Sequence, residues 1–488
     1  MKLNDTLKAH SLKSIKWVSM GIVLPKLISP ITTIVLANLL LPSDFGIISL
    51  CMSFISFFAL IQGLGFTDFI IKEIDINQNV LFTAFWGNFL TSLLLYLILL
   101  IGTPFVVFVY NINELSLYLP IVGLSLLINS IGVIPNAILR KNLKFKSLFL
   151  IQIFPICINI AIVIPLAYLD FGVWALICGA LLQTTLVNFL LLFFSKWLPK
   201  FEFNKIVFFR MVKFGKFVVL EQVMEFIYGN MDLFLIAYFF DLSTVGIYSL
   251  GKTWILVIFN IINSPINSIV YPSLNFFKND FSEFRKIFIN VERRMIFLNI
   301  PVITGIAILA SSTVGLFLPP KWEQLSVVLL FLSIGEGVSR NLSMQRDLYK
   351  IIDRPEVYPK SLIFNLLFAV IFYPIISKFG LIYFCFIKMA NDLFYTFIQA
   401  IIAKKMHLID FIDFWNISKI PIISSIIMGS VILFLMKIFS MINMGYGYIH
   451  FSVIIFSGLI SYFYIYFRFD NLVIKQYFAE AKSAFRIN

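Results

Sequence analysis

Runs of about twenty apolar residues, separated by short polar breaks, recur along the whole chain. They are continuous and do not alternate over ~10-residue stretches as strands of a membrane barrel would. A hydrocarbon core about 30 Å thick takes roughly 20 residues of α-helix to cross, and lipid offers backbone groups no hydrogen bonds outside a helix or a closed barrel. The pattern therefore predicts transmembrane helices over 17–40, 45–66, 80–109, 117–139, 148–169, 172–194, 217–240, 246–272, 295–318, 325–345, 361–377, 380–402, 420–439 and 447–467. Breaks after odd-numbered spans are tight, as in Leu41–Asp44 and Asn111–Glu114, whereas even-numbered spans end in longer basic segments. The expected class is an all-α integral membrane protein of about fourteen transmembrane helices.

One break stands apart. Residues 195–216, SKWLPKFEFNKIVFFRMVKFGK, are long, basic and aromatic. As a helix they set Phe203, Val207 and Phe208 against Lys205, Arg210 and Lys213, a pattern that predicts a helix lying in the cytoplasmic interface. This segment divides an N-terminal lobe (1–194, six helices) from a C-terminal lobe (217–403, six helices), followed by a pair of helices and a tail (404–488). An internal repeat supports two lobes. LANLLLPSDFGIISL at 36–50 aligns without gaps on IAYFFDLSTVGIYSL at 236–250, matching Ala37 with Ala237, Gly46 with Gly246, Ile47 with Ile247, Ser49 with Ser249 and Leu50 with Leu250. Lys13 and Lys16 match Lys213 and Lys216 in the same register, and FGVWAL from Phe171 resembles FGLIYF from Phe379. Two pseudo-symmetric six-helix halves of the same orientation are a transporter arrangement.

Composition fits lipid as the solvent: 60% of residues are hydrophobic and only 13% charged, far from a water-soluble domain. The net charge of +13 is a topology signal. Only Lys321 and Lys378 fall in odd-numbered connections, and only Lys26, Lys252, Arg340, Lys388 and Lys437 inside spans; every other lysine and arginine lies at a terminus or in an even-numbered connection. Cytoplasmic loops carry the Lys/Arg excess, which predicts both termini in the cytoplasm, an affinity for anionic membrane lipids, and no nucleic acid partner. The first apolar run is too long for a secretory leader and is expected to be a retained helix. Cys51, Cys157, Cys178 and Cys385 all lie in apolar runs without paired spacing, so packing is expected of them, with no metal bound. His10, His407 and His450 are isolated, and there is no phosphate loop, Ser/His/Asp arrangement or HExxH motif. No catalytic residues and no cofactor are expected.

Seven segments in register, LANLLLPSDFGIISL, GLGFTDFIIK, TAFWGNFL, VIPNAILRKNLKFKSL, FGVWALICG, NMDLFLIAYFFDLSTVGIYSLGK and PINSIVYPSL, together resemble the polysaccharide transport family of the multidrug/oligosaccharidyl-lipid/polysaccharide (MOP) flippase superfamily. The likeness is to its colanic-acid and teichuronic-acid exporter branch and covers residues 20 to about 400. It implies a two-lobed flippase that moves undecaprenyl-pyrophosphate-linked repeat units across the inner membrane by alternating access, for O-antigen, capsule, exopolysaccharide or teichuronic-type glycan. It also implies contacts with a polymerase and a chain-length regulator, while the internal pseudo-symmetry predicts a functional monomer.

An ionisable group in a membrane helix faces a cavity or a partner by default. Lys26, between Pro25 and Pro30, and Lys252 are the candidate pyrophosphate contacts; in the similar lipid II flippases, arginines of the first and eighth helices look like their counterparts. Lys252 also lies close enough to a helix end to snorkel, and its repeat equivalent is Met52. Glu221, Glu225, Tyr228 and Asp232 fall on one helical face. These acids either bind the Na+ or H+ that drives turnover or neutralise the two lysines. Glu336 with Arg340, and Lys388 with Asp392, form i,i+4 pairs. Asn38, Gln62, Asn88, Asn129, Asn260, Asn263 and Asn267 can bind sugar hydroxyls or bridge helices. The rival reading is a cation-coupled drug exporter of the same fold. A membrane glycosyltransferase would need a longer external loop, and the paired intramembrane charges disfavour a passive pore.

Overall fold

The computed structural model describes residues 2–63, 65–72, 77–278, 280–341, 345–352, 354, 356–441 and 447–469. Among the described residues the regular structure is helical, without strands. In chain order the helices are α1 (Lys2–Leu39), α2 (Pro42–Gly63), α3 (Phe66–Lys72), α4 (Gln78–Tyr110), α5 (Leu115–Lys141), α6 (Phe145–Tyr168), α7 (Val173–Ser195) and α8 (Lys205–Phe239). They continue with α9 (Leu242–Phe276), α10 (Phe281–Phe317), α11 (Leu325–Ser339), α12 (Gln345–Ile351), α13 (Val357–Ser377), α14 (Leu381–Lys405), α15 (Phe411–Met441) and α16 (Tyr448–Phe469). Each of the fourteen expected spans overlaps one of these helices, although the tenth, 325–345, runs past the end of α11 at Ser339. Among the described residues, eleven are long and apolar enough to cross a membrane, and Leu24–Leu39 is a shorter apolar stretch. The two others are α8, which carries three acids along its apolar length, and α11, which has only 15 residues. The protein is a multi-pass membrane protein.

The chain folds into two compact units, Met1–Ser249 and Leu250–Asn488, so the division falls inside α9. The basic segment 195–216 is not a separate interfacial helix. Residues 196–204 are irregular, and α8 begins at Lys205, where the Asn204 side chain accepts from the amides of Ile206 and Val207. No proline interrupts α8 after that cap, so the helix runs on through Phe239. The expected amphipathicity is present, but its apolar face packs on protein. Phe203 and Phe208 are in ring contact, Phe208 lies against Phe66, and Val207 and Met211 join the core of α3, α4 and α5. Lys205 and Lys213 stay exposed. The preceding segment is clamped to α4: Trp197 stacks on Phe82 and donates to Gln78 Oε1 at 3.1 Å, and the Trp86 indole donates to the Lys200 carbonyl at 2.9 Å.

Inside the first unit the repeat has a physical meaning. Gly46 of α2 and Gly246 of α9 lie backbone to backbone: a Cβ on Gly246 would overlap the Pro42 carbonyl, and one on Gly46 would overlap that of Leu242. One turn on, the hydroxyls of Ser49 and Ser249 meet at 2.8 Å. Equivalent residues thus face each other, as residues beside a pseudo-twofold axis must, and only glycine lets two helices approach so closely. The second repeated motif behaves alike, since Gly172 and Gly380 both cap helix starts with positive φ, 54° and 108°. Replacing Gly246 by Val should push the two helix ends apart, lowering the melting temperature of the detergent-purified protein by several degrees, whereas Ser49→Ala, which loses about 1 kcal/mol of hydrogen bonding, should shift it far less. Equal shifts in a thermal-unfolding assay would refute the contact.

Candidate functional site

Charges in an apolar helix cost several kcal/mol each unless they are paired, and the second unit pairs them in a chain. The ammonium of Lys388 on α14 lies 2.6 and 2.7 Å from the two oxygens of Asp392, one turn on. Both residues are buried. The same ammonium reaches Glu336 of α11 at 3.5 Å, Glu336 holds Arg340 at 3.6 Å, and Arg340 donates to Asn260 of α9 at 3.3 Å. The sequence gives two separate i,i+4 pairs; the fold joins them into one run of alternating charge that ties α9, α11 and α14 together. Beside it runs an amide ladder, in which Asn263 donates to Asn299 at 3.1 Å and Asn299 to Asn341 at 2.8 Å. Tyr349 of α12 donates to Gln399, which donates to Ser361. Burial, with Tyr395 nearby, pushes the Tyr349 hydroxyl above its ordinary pKa and keeps it a donor.

In the first unit Asp232 is buried, takes a 2.6 Å hydrogen bond from the Tyr248 hydroxyl and accepts from the Leu233 amide. Glu221 and Glu225 are half-buried on the same helix. Lys26 is half-buried on α1. Pro30 has no N–H to give the Lys26 carbonyl, so an ammonium and an oxygen lacking its helical donor occur on one residue. The amide of Asn38 donates to the carbonyl of Ile34 on its own helix, which commits that donor locally. Lys252 is buried and belongs to the second unit.

The second unit also holds an apolar cavity of about 510 Å³, walled by α9, α10, α11, α15 and α16. Trp254, Pro301, Gly305, Met428, Phe451 and Leu459 are among its lining residues. Nothing in the spacing of α15 or α16 marks this cavity, because apolar residues lining a cavity look like apolar residues facing lipid.

Four functional candidates have no clear signal in the sequence. Asn299, Asn341 and Tyr248 are single polar residues whose partners lie 16 to 42 positions away. Glu292 sits in the charged stretch NVERRM and reads as a surface residue, yet it is fully buried on α10 with neither oxygen hydrogen-bonded.

Removing one member of a buried pair leaves an uncompensated charge, at a cost of about 3–5 kcal/mol. Lys388→Ala or Asp392→Ala alone should therefore lower thermal stability sharply, and Lys388→Met with Asp392→Leu should recover much of the loss. A double variant no more stable than the worse single one would show that the pair is not the stabilising element.

Against known structures the chain superposes on the lipid II flippase MurJ in an inward closed conformation with a TM-score of 0.76 at 17% identity, over 94% of this chain and all of that one. An inward-facing MATE family multidrug transporter gives 0.56 at 15% identity, over 81% of this chain and 99% of the other. The MurJ match leaves fewer residues unmatched than α15 and α16 contain, so the fold extends into that final pair. Among sequences, the chain is 23% identical to the teichuronic acid biosynthesis protein TuaB of Bacillus subtilis over 65% of this chain and 66% of TuaB. It is 21% identical to the succinoglycan biosynthesis transport protein ExoT of Rhizobium meliloti over 63% of this chain and 62% of ExoT. The matches to these two relatives thus span just under two thirds of their lengths. A family model described as polysaccharide biosynthesis protein matches residues 35–327, more than half the chain, and the protein belongs to that family.

Proposed function

We propose that the protein translocates undecaprenyl-pyrophosphate-linked oligosaccharide repeat units across the bacterial inner membrane, from the cytoplasmic to the outer leaflet, by alternating access. Family membership over residues 35–327 is the observation that carries the reading, because relatives named for teichuronic acid, succinoglycan and lipopolysaccharide biosynthesis are makers and exporters of surface glycans. Two features of the chain support a lipid-linked substrate in particular. The apolar cavity bounded by α10, α15 and α16 suits a polyprenyl chain, and half-buried Lys26 suits a pyrophosphate. Lys252 is assigned the same partner. Its burial favours contact with a desolvated anion over a role at the interface.

Glu221, Glu225 and Asp232 are assigned to charge balance and to Na+ or H+ coupling. Asp232, held by Tyr248, is the most fixed of them. The Glu336–Lys388–Asp392 chain is assigned a structural role, because its ions are already engaged with one another. The drug-exporter reading has less support, since a basic residue at Lys26 disfavours an organic cation.

The test is accumulation of undecaprenyl-pyrophosphate-linked repeat units in a strain lacking the chain. Wild type should clear intermediates trapped on the cytoplasmic face, and a normally inserted Lys26→Ala protein should clear them at least tenfold more slowly. Absence of accumulation, together with a rise in sensitivity to organic cations, would replace the flippase reading with the drug-exporter one.

A further inference from the structure

The first unit contains a second cavity, of about 440 Å³, where the amino-terminal half of α1 meets the end of α5, the start of α6 and the end of α7. Its polar groups converge. Arg140 closes α5, and its Nε donates to Asn136 Oδ1 at 3.1 Å, which orients the guanidinium and leaves its two terminal nitrogens for another acceptor. Gln152 of α6 reaches toward α1, its Oε1 standing 3.3 Å from where a Cβ on Gly21 would be. Trp17 lines the cavity, packs on Phe149 and carries the Lys146 ammonium 5.7 Å from its ring centroid. Leu148, Ile151, Val187 and Leu191 supply an apolar wall.

Basic residues predominate around the cavity. Arg140, Lys141, Lys144 and Lys146 fall within seven consecutive residues, α5, α6 and α7 contain no Asp or Glu, and the one acid of α1, Asp5, precedes Trp17 by twelve residues. Asp170 follows the far end of α6, about 36 Å away at 1.5 Å per residue. A cavity of this size is of ligand dimensions, in the range of roughly 300–1,000 Å³. An oriented guanidinium matches phosphate oxygens bidentately. A tryptophan and a lysine beside an apolar wall are what a molecule with a phosphate at one end and hydrocarbon at the other meets at a membrane interface.

We infer that this cavity is a binding site for the phosphodiester headgroup of an anionic phospholipid, with Arg140 gripping the phosphate, Gln152 hydrogen-bonding the headgroup and the wall of Leu148, Ile151 and Leu191 receiving the start of an acyl chain. Neither Lys26 nor Lys252 lines the cavity, and the inference does not depend on glycan transport.

Native mass spectrometry of the full chain in detergent, titrated with phosphatidylglycerol, phosphatidylcholine or inorganic phosphate, tests it. Phosphatidylglycerol should be retained at least tenfold more tightly than phosphatidylcholine. Arg140→Gln should abolish that preference, Gln152→Leu should weaken it, and Lys360→Gln, an exposed cation on α13, should leave it intact. A preference unmoved by both Arg140→Gln and Gln152→Leu would overturn the site. So would an equal loss on Lys360→Gln, which would mark general attraction to a basic surface. Displacement of phosphatidylglycerol by millimolar inorganic phosphate would overturn the lipid as its occupant and leave a site for the free anion.

Discussion

Lipid provides no hydrogen bonds and little screening, and that constraint decides what this chain can be. Every backbone amide within the bilayer must be answered inside its own helix, and many side-chain hydroxyls are answered there too, as when Ser92 donates to the Asn88 carbonyl and Thr103 to that of Leu99. The same low dielectric makes an isolated charge expensive and a paired one strong. Hence four ions of the second unit, two of them buried and two half-buried, form one alternating run from Asp392 through Lys388 and Glu336 to Arg340. Their mutual attraction offsets their lost hydration and fixes α11 against α14. Helix association without a hydrophobic driving force then rests on close packing, and Gly46 against Gly246 is its tightest expression in the first unit.

Much of this was legible in the sequence, for physical reasons that can be named. Length and apolarity locate helices because bilayer thickness sets both. The repeat at an offset of 200 is visible because the approach of Gly46 and Gly246 and the pairing of Ser49 with Ser249 restrict which residues fit. The faces of the 203–213 stretch were readable, since helical periodicity is local. What covers the apolar face was not, because an interfacial helix and a helix start packed on α3 and α4 have the same pattern. Partners across long separations were equally hidden. The i,i+4 pair of Lys388 and Asp392 follows from one helix alone, whereas the reach of Lys388 to Glu336 depends on how α14 lies beside α11. Glu292 is the sharpest case, a carboxylate in a charged stretch that the fold buries completely.

The chemistry divides between features that hold the fold and features open to a substrate. In the second unit the ion chain and the Asn263–Asn299–Asn341 ladder are engaged with themselves, while the apolar cavity next to α15 and α16 is shaped but chemically undemanding. That combination suits a carrier whose cargo varies in its sugars but keeps one polyprenyl chain and one pyrophosphate.

The most direct test of lipid-linked glycan translocation is a reconstituted one. Purified protein in liposomes carrying a labelled undecaprenyl-pyrophosphate oligosaccharide in both leaflets, with an impermeant sugar-modifying reagent outside, reports transbilayer movement without the rest of the pathway. Translocation predicts modification of nearly all the labelled lipid in protein-containing vesicles within minutes and of only the outer-leaflet half in protein-free ones. Modification stopping at the outer-leaflet half in both, with the protein correctly folded and an ion gradient of either kind imposed, would contradict it.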